Sequence, residues 1–320
     1  MAASTLPQAG PGGQSDGGVA RLYRFLAGIP TWVLWVLVFI WTLPTFSLFI
    51  NSFRSRDAQR NSGWWSVFDD EIAPGLQNYE EVLGAEASGG LTQGLVNSFA
   101  IAIPATIIPI AIAAFAAYAF AWIDFKGRQV YFIATVSLLA IPNQVALIPL
   151  LQAYSNGAKQ TIPFLDKTVT IIPDLGLAGT TTAVWITHTA FAMPFAIFLL
   201  HNYISQLPKD LFESARIDGA DHFTIFWRLV FPLSIPVIAA FAIFQFLWTW
   251  NDYLIALTMI GANGVNHPAT IKIASQAGEF GLKEHVLSAG AFVQAFVPLT
   301  VFFLLQRFFV RGLLAGSVKG

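Results

Sequence analysis

The chain has 320 residues, of which 55% are hydrophobic, 14% aromatic and only 11% charged. A soluble domain carries about 25% charged residues, so this chain has too few to cover a globular surface in water, and lipid must be part of its solvent. With 17 basic against 18 acidic residues and no cysteine, the composition also excludes a basic nucleic-acid binder, a disulfide scaffold, thiol catalysis and Cys-ligated zinc.

Residues 1–28 begin Gly/Ser/Ala/Pro-rich and are expected to form a flexible tail. A membrane-spanning helix needs about 20 mostly apolar residues. Six runs meet that need, at about 30–50, 97–123, 130–154, 180–200, 232–260 and 286–309. The first is too long for a signal-peptide core and no small-residue cleavage site follows it, so it reads as a retained helix. Trp32, Trp35 and Trp41 suit interfacial anchors or packing on it. The stretch 54–91 is long and acidic, with Trp64 beside Trp65, and predicts a short helix or cap between spans one and two. Gly127, flanked by Lys126 and Arg128, marks a short turn before the third run.

The third run carries Pro142-Asn143-Gln144, then Pro149 and Gln152. Prolines free backbone carbonyls, which suits either a pore lining or a simple kink. His188 stands between Thr187 and Thr189 in the fourth run, as a packing histidine or a proton relay. Asp252 is the one acid well inside a run, with Trp248, Trp250, Asn251 and Tyr253 around it. A carboxylate is costly in lipid, so it must face protein or a wet cavity. The cluster fits a carbohydrate path of stacking faces and hydrogen-bond partners, or a structural polar knot at a helix break.

Lys and Arg bias sets orientation. With the N-terminus cytoplasmic, the inner segments hold ten basic and six acidic residues, and the outer segments seven and eleven. Both termini are then expected inside, with a short C-terminal tail at 311–320.

The segment 206–231, cytoplasmic on this count, is more than a turn. Pro208 suits a helix start, and Leu211, Phe212 and Ala215 recur at helical spacing. Gly219 can take the positive φ of a helix end, and Asp221 can cap a second helix. Phe223, Phe226 and Val230 give that helix an apolar stripe, and Pro232 is expected to stop it. Such an amphipathic pair either lies in the headgroup layer or docks into a partner's groove.

The run Glu213-Ser214-Ala215, three residues, Gly219, nine residues, Leu229-Val230-Phe231-Pro232 resembles the "EAA" signature of ATP-binding-cassette importer permeases, Glu-Ala-Ala-x3-Gly-x9-Ile-x-Leu-Pro. Ser214, Leu229 and Phe231 are mild departures from it. The tail from Gln306 to Gly320 and Trp250-Asn251-Asp252-Tyr253 are similar to the maltose-type, MalG-like subfamily of binding-protein-dependent transport inner-membrane components. The resemblance covers about residues 30–320. It implies an all-α type I importer transmembrane subunit of six helices, with a transmembrane permease domain over 29–310 and 206–231 as a coupling helix that docks on a cytoplasmic ATPase. Carried over by position, Glu213, Ser214, Ala215, Gly219 and Pro232 make that coupling element.

The resemblance further implies a sugar importer, of an oligosaccharide such as an α-glucoside. Its parts are a second, non-identical MalF-like permease, an ATPase dimer that binds ATP and Mg, and an extracytoplasmic binding protein, in the inner membrane of a prokaryote. Gly-Lys never occurs in the chain and neither does His-Glu-x-x-His, so neither a phosphate loop nor that zinc motif is present. No catalytic residue, metal site, cofactor or nucleic-acid partner is expected. Candidate substrate-path residues are Asn143, Gln144, Trp248, Trp250, Asn251, Asp252 and Tyr253. The rivals are an ion-coupled secondary transporter, which would need more membrane acids and an internal repeat, a membrane scaffold whose surface helix binds a regulator, and the same importer for glycerol phosphate or a polyol.

Overall fold

The computed structural model describes residue 28 and residues 30–69, 74–84, 90–162, 164, 167–276 and 284–317. The rest of the expected N-terminal tail and the last three residues lie outside this description, as do the side chains of 307–317. The chain divides into Met1–Ile50 and Asn51–Gly320. Among the described residues five helices are long and apolar enough to cross a membrane, or six if one bent pair counts as a span. α1, Thr31–Asn51, belongs almost wholly to the first unit. Thr42 Oγ1 donates to Val38 O at 2.6 Å and Ser47 Oγ to Pro44 O at 2.8 Å, so both hydroxyls are satisfied within the helix itself.

Among the described residues of 54–91 are two short α-helices, α2 (Arg56–Asn61) and α3 (Gln77–Leu83), where a short helix or cap was expected. Their organiser is Arg54, fully buried. Its guanidinium donates to Asn51 Oδ1 (3.1 Å), Ala58 O (3.1 Å) and Ser62 Oγ (2.6 Å). Asn78 Nδ2 donates to Ser52 O and Arg54 O, both at 2.9 Å. The planar five-donor fork of arginine suits such a junction of carbonyls.

α4 (Gly90–Trp122), α7 (Thr181–Ile204) and α10 (Phe231–Trp250) form the packed centre. Ala105, Pro109, Ala113 and Ala117 repeat every fourth residue of α4 and are buried. Ala192 and Ala196 do the same on α7. Small residues on one stripe let helix backbones approach closely, which is how helices associate where lipid is as apolar as leucine. Pro109 cannot donate to the Ala105 carbonyl. Gln245 Nε2 of α10, itself buried, donates to that carbonyl at 3.1 Å.

The run 130–154 bends, as its prolines allow, and two other expectations about helix continuity need correction. α5 (Arg128–Ser137) continues through a 3-10 turn to Ala140 and then bends by 101° into α6 (Asn143–Asn156). Ile141, just before Pro142, is extended at φ −84°, ψ 120°, as the clash with a following proline ring favours. Pro232 does not stop its helix. After α8 (Lys209–Ile217) and α9 (His222–Ile225), a π turn over Phe226–Val230 widens the chain, the Phe231 amide reaches Phe226 O, and α10 runs on to Trp250. The tail does not leave the last helix near 310, because the helix continues to Ser317.

The fifth run breaks after Trp250, and α11 (Leu254–Ile260) follows. α12 (Ala269–Gln276) and α13 (Glu284–Ser317) complete the chain. A hairpin, β1 (Ala158–Ile162) antiparallel to β2 (Lys167–Ile172), pairs Lys159 with Thr170 and Thr161 with Thr168. The all-α expectation omitted it, although Thr168-Val-Thr-Ile-Ile172 is β-branched throughout.

Candidate functional site: the 206–231 loop and a cavity beside Asn143

The 206–231 loop folds into a helix, a glycine turn and a second helix. Pro208 precedes α8 in extended conformation. The Gly219 amide donates to Arg216 O (3.0 Å) and the Ala220 amide to Ala215 O (2.9 Å), the paired bonds of a Schellman end. Gly219 holds φ +81° with open space where a Cβ would stand, so glycine is required for its backbone angle and not for room. Asp221 then caps α9 by accepting from the Thr224 amide at 2.8 Å. Hydrogen bonds from Thr224 hold the exposed Asp221 carboxyl below its usual pKa.

Phe212 is buried and stacks on Trp122 of α4, with ring centroids 3.6 Å apart and planes at 16°. Ala215 is half-buried against the same core. Glu213, Ser214 and Ile217 are exposed, Ile217 at 87%. Ser214 Oγ donates to Asp210 O at 2.8 Å, which keeps a serine helical where the signature has alanine. Ile217 thus stands open at the end of α8, just ahead of the glycine turn.

The substrate-path candidates do not form one group. Trp250 is buried against Phe246 and Phe99, and its indole N–H donates to Gln294 O at 3.2 Å. Asn251 Nδ2 donates to Leu247 O at 2.8 Å, and Tyr253 is 43% exposed. Asp252 takes the structural role at the helix break. Its carboxylate accepts from the amides of Ile255 (3.3 Å) and Ala256 (2.9 Å), and its carbonyl accepts from Thr270 Oγ1 (2.7 Å). His188, fully buried, brings Nε2 to 3.5 Å from Asp252 Oδ2 without hydrogen-bond geometry, and its ring meets Trp248 edge to face at 5.1 Å.

Asn143 lies elsewhere, at the bend between α5 and α6. It lines a cavity of about 430 Å³ with Leu138, Ile141, Pro142, Phe191 and Pro194. Gln144 beside it is exposed. Pro194 cannot donate to the Ala190 carbonyl at the same wall. The cavity thus offers apolar faces, one aromatic ring and an amide. Cavities of this size, mostly apolar with few polar groups, suit small ligands. Sequence reasoning missed Phe191 and the α7 wall because they lie about 50 residues from Asn143.

The described residues thus hold apolar helices long enough to cross a membrane and, between α7 and α10, a capped helix–turn–helix. A family model described as binding-protein-dependent transport system inner membrane component matches residues 107–315, and the chain belongs to that family. The osmoprotective compounds uptake permease protein GgtD of Synechocystis is 50% identical over 286 residues, which span 88% of this chain and 89% of that protein. The alpha-glucoside transport system permease protein AglG of Rhizobium meliloti is 48% identical over 245 residues, 77% of this chain and 60% of that protein. Among solved structures, a bacterial ABC transporter involved in the import of the acidic polysaccharide alginate matches with a TM-score of 0.70 over 95% of this chain and 100% of that one, at 16% identity. The chain is therefore a membrane-embedded permease component with the fold of an ABC importer transmembrane domain.

Proposed function

We propose that the chain is one half of the pore of an ATP-driven importer for an oligosaccharide, with an α-glucoside as the first substrate to test. A second, non-identical permease supplies the other half. A dimer of separate ATPase subunits binds ATP and Mg, and a binding protein delivers the sugar from outside. Both termini and the 206–231 loop face the cytoplasm, in keeping with the excess of basic residues on that side. The observation that carries the reading is the loop itself: a Schellman turn at Gly219, a cap at Asp221 and exposed Glu213 and Ile217, joined through short connections to α7 and α10. When the ATPases close on nucleotide, α8 moves with them and tilts the helices to which it is joined.

On the substrate side, Asn143 and the cavity wall at Phe191 are the better candidates for sugar contact. The Asp252 carboxylate is already engaged with backbone amides, and Trp250 has no open face. The test is uptake of radiolabelled α-glucoside into proteoliposomes carrying the complete complex. Uptake that requires internal ATP and falls with Asn143→Leu supports the reading. Uptake driven by an ion gradient without ATP contradicts it. The 50% identity to an osmoprotective compounds uptake permease favours a second reading, the same machine for a small compatible solute. Competition of uptake by such solutes separates the two.

A further inference from the structure

We propose that α4 is a strut that carries movement of the 206–231 loop to the segment 261–269 at its far end, and that Trp122, Tyr118 and Phe115 are the positioning residues by which it grips the loop. The proposal rests on the reading of that loop as the ATPase-coupling element. The three aromatics stand at i, i+3 and i+7, on one face of the helix. Each meets a different part of the loop. Trp122 stacks on Phe212 of α8 at 3.6 Å, and its Nε1 donates to Ile204 O at 3.0 Å. Tyr118 Oη lies 2.9 Å from Nδ1 of His222 at the start of α9. Phe115 stacks on Phe226 of the π turn at 4.3 Å and 23°. Both arms of the loop are thus held by a helix to which neither is joined in sequence.

The other end of α4 is held as firmly. Asn97 Nδ2 donates to Val265 O (2.7 Å) and His267 O (3.0 Å), and Ser98 Oγ accepts from the Ala269 amide (3.0 Å). Twenty residues of helix separate Ser98 from Tyr118, about 30 Å at 1.5 Å per residue, roughly a bilayer core. The weak points of such a rod are its prolines, Pro104 and Pro109. At Pro109 the freed Ala105 carbonyl is taken by Gln245 of α10, which braces the rod at the second of them. α4 runs through both as one continuous helix, held to the loop at one end and to 261–269 at the other. Rigid segments with fixed ends are what carry coupling across such distances.

The chain has no cysteine, so one reporter is clean. Val265 is 63% exposed, and Val265→Cys reports on the far segment through its rate of reaction with a charged maleimide. In the complete complex, ATP binding should change that rate. Trp122→Ala should abolish the change and lower sugar transported per ATP by about fivefold to tenfold, while the ATPase still copurifies. Trp122→Phe, which can keep the stack, should restore both. An unchanged Val265→Cys response in Trp122→Ala overturns the strut. Glu213→Lys separates the two claims. If it spares the response, the coupling reading itself fails. If it abolishes the response and Trp122→Ala does not, only the strut fails.

Discussion

Gln245 sits opposite a carbonyl that Pro109 has deprived of its helical donor, with both groups buried. An unmet buried acceptor costs about 1–3 kcal/mol. Gln245→Leu should therefore lower the thermal midpoint of the purified complex, in keeping with a loss of that order, and Gln245→Glu should do so at a pH where the carboxyl is ionised, because a carboxylate cannot donate to the Ala105 carbonyl. A midpoint equal to the parent's in both variants would remove the brace. Asp221 gives a pH-dependent case. Its carboxyl titrates below the ordinary value because Thr224 donates to it. The folded-state pKa is depressed, so the cap is fully present above the ordinary aspartate pKa and is lost as pH falls through the lowered one. Asp221→Asn still caps but no longer titrates. Melting curves over that acid range should drop more steeply for the parent than for Asp221→Asn, and parallel curves would contradict the assignment.

At the scale of elements, helix α8 was legible because its signals are local. Pro208, the spacing of Leu211, Phe212 and Ala215, Gly219 and Asp221 each act within one turn of chain. The breaks were less legible. Pro232 and Pro142 carry the same local signal, yet one is absorbed by a π turn and the other bends the chain by 101°. What decides is the neighbouring packing: Phe226 and Val230 are buried against α4 and α7 before Pro232, whereas Ile141 and Pro142 are exposed. The Asn143 cavity was only half legible, since its α7 wall is remote in sequence. The Arg54 junction gave no sign beyond an arginine after an apolar run. The last helix outran expectation: it runs through Gly312 and on past Gly316 to Ser317, although glycine is a poor helix former. Continuation of α13 to Ser317 makes 311–317 part of a helix. Deletion of 311–320 should reduce copurification of the ATPase and sugar uptake while membrane insertion persists. Unchanged uptake would make those residues a mere chain end.

For the whole molecule, the orientation proposed from the charge bias is directly testable. A single Cys at Ser214, exposed on α8, should react with a membrane-impermeant reagent in inverted vesicles and not in right-side-out cells. A single Cys at Ser62 should react in the reverse order. The opposite pattern would overturn the inside assignment of both termini. Small-residue stripes on α4 and α7 and the Gln245 bond pack the helices against one another, and the Trp122–Phe212 stack joins the loop to them; the proposed coupling requires that the bundle respond as a body when the loop moves. The most direct measurement of that claim is ATPase activity of the reconstituted complex, with and without substrate-loaded binding protein, in Gly219→Pro and Glu213→Lys. Proline cannot take φ +81°, and lysine inverts the charge on the proposed docking face. The account predicts that both variants reach the membrane but lose stimulation by the loaded binding protein. Full stimulation in both would contradict it.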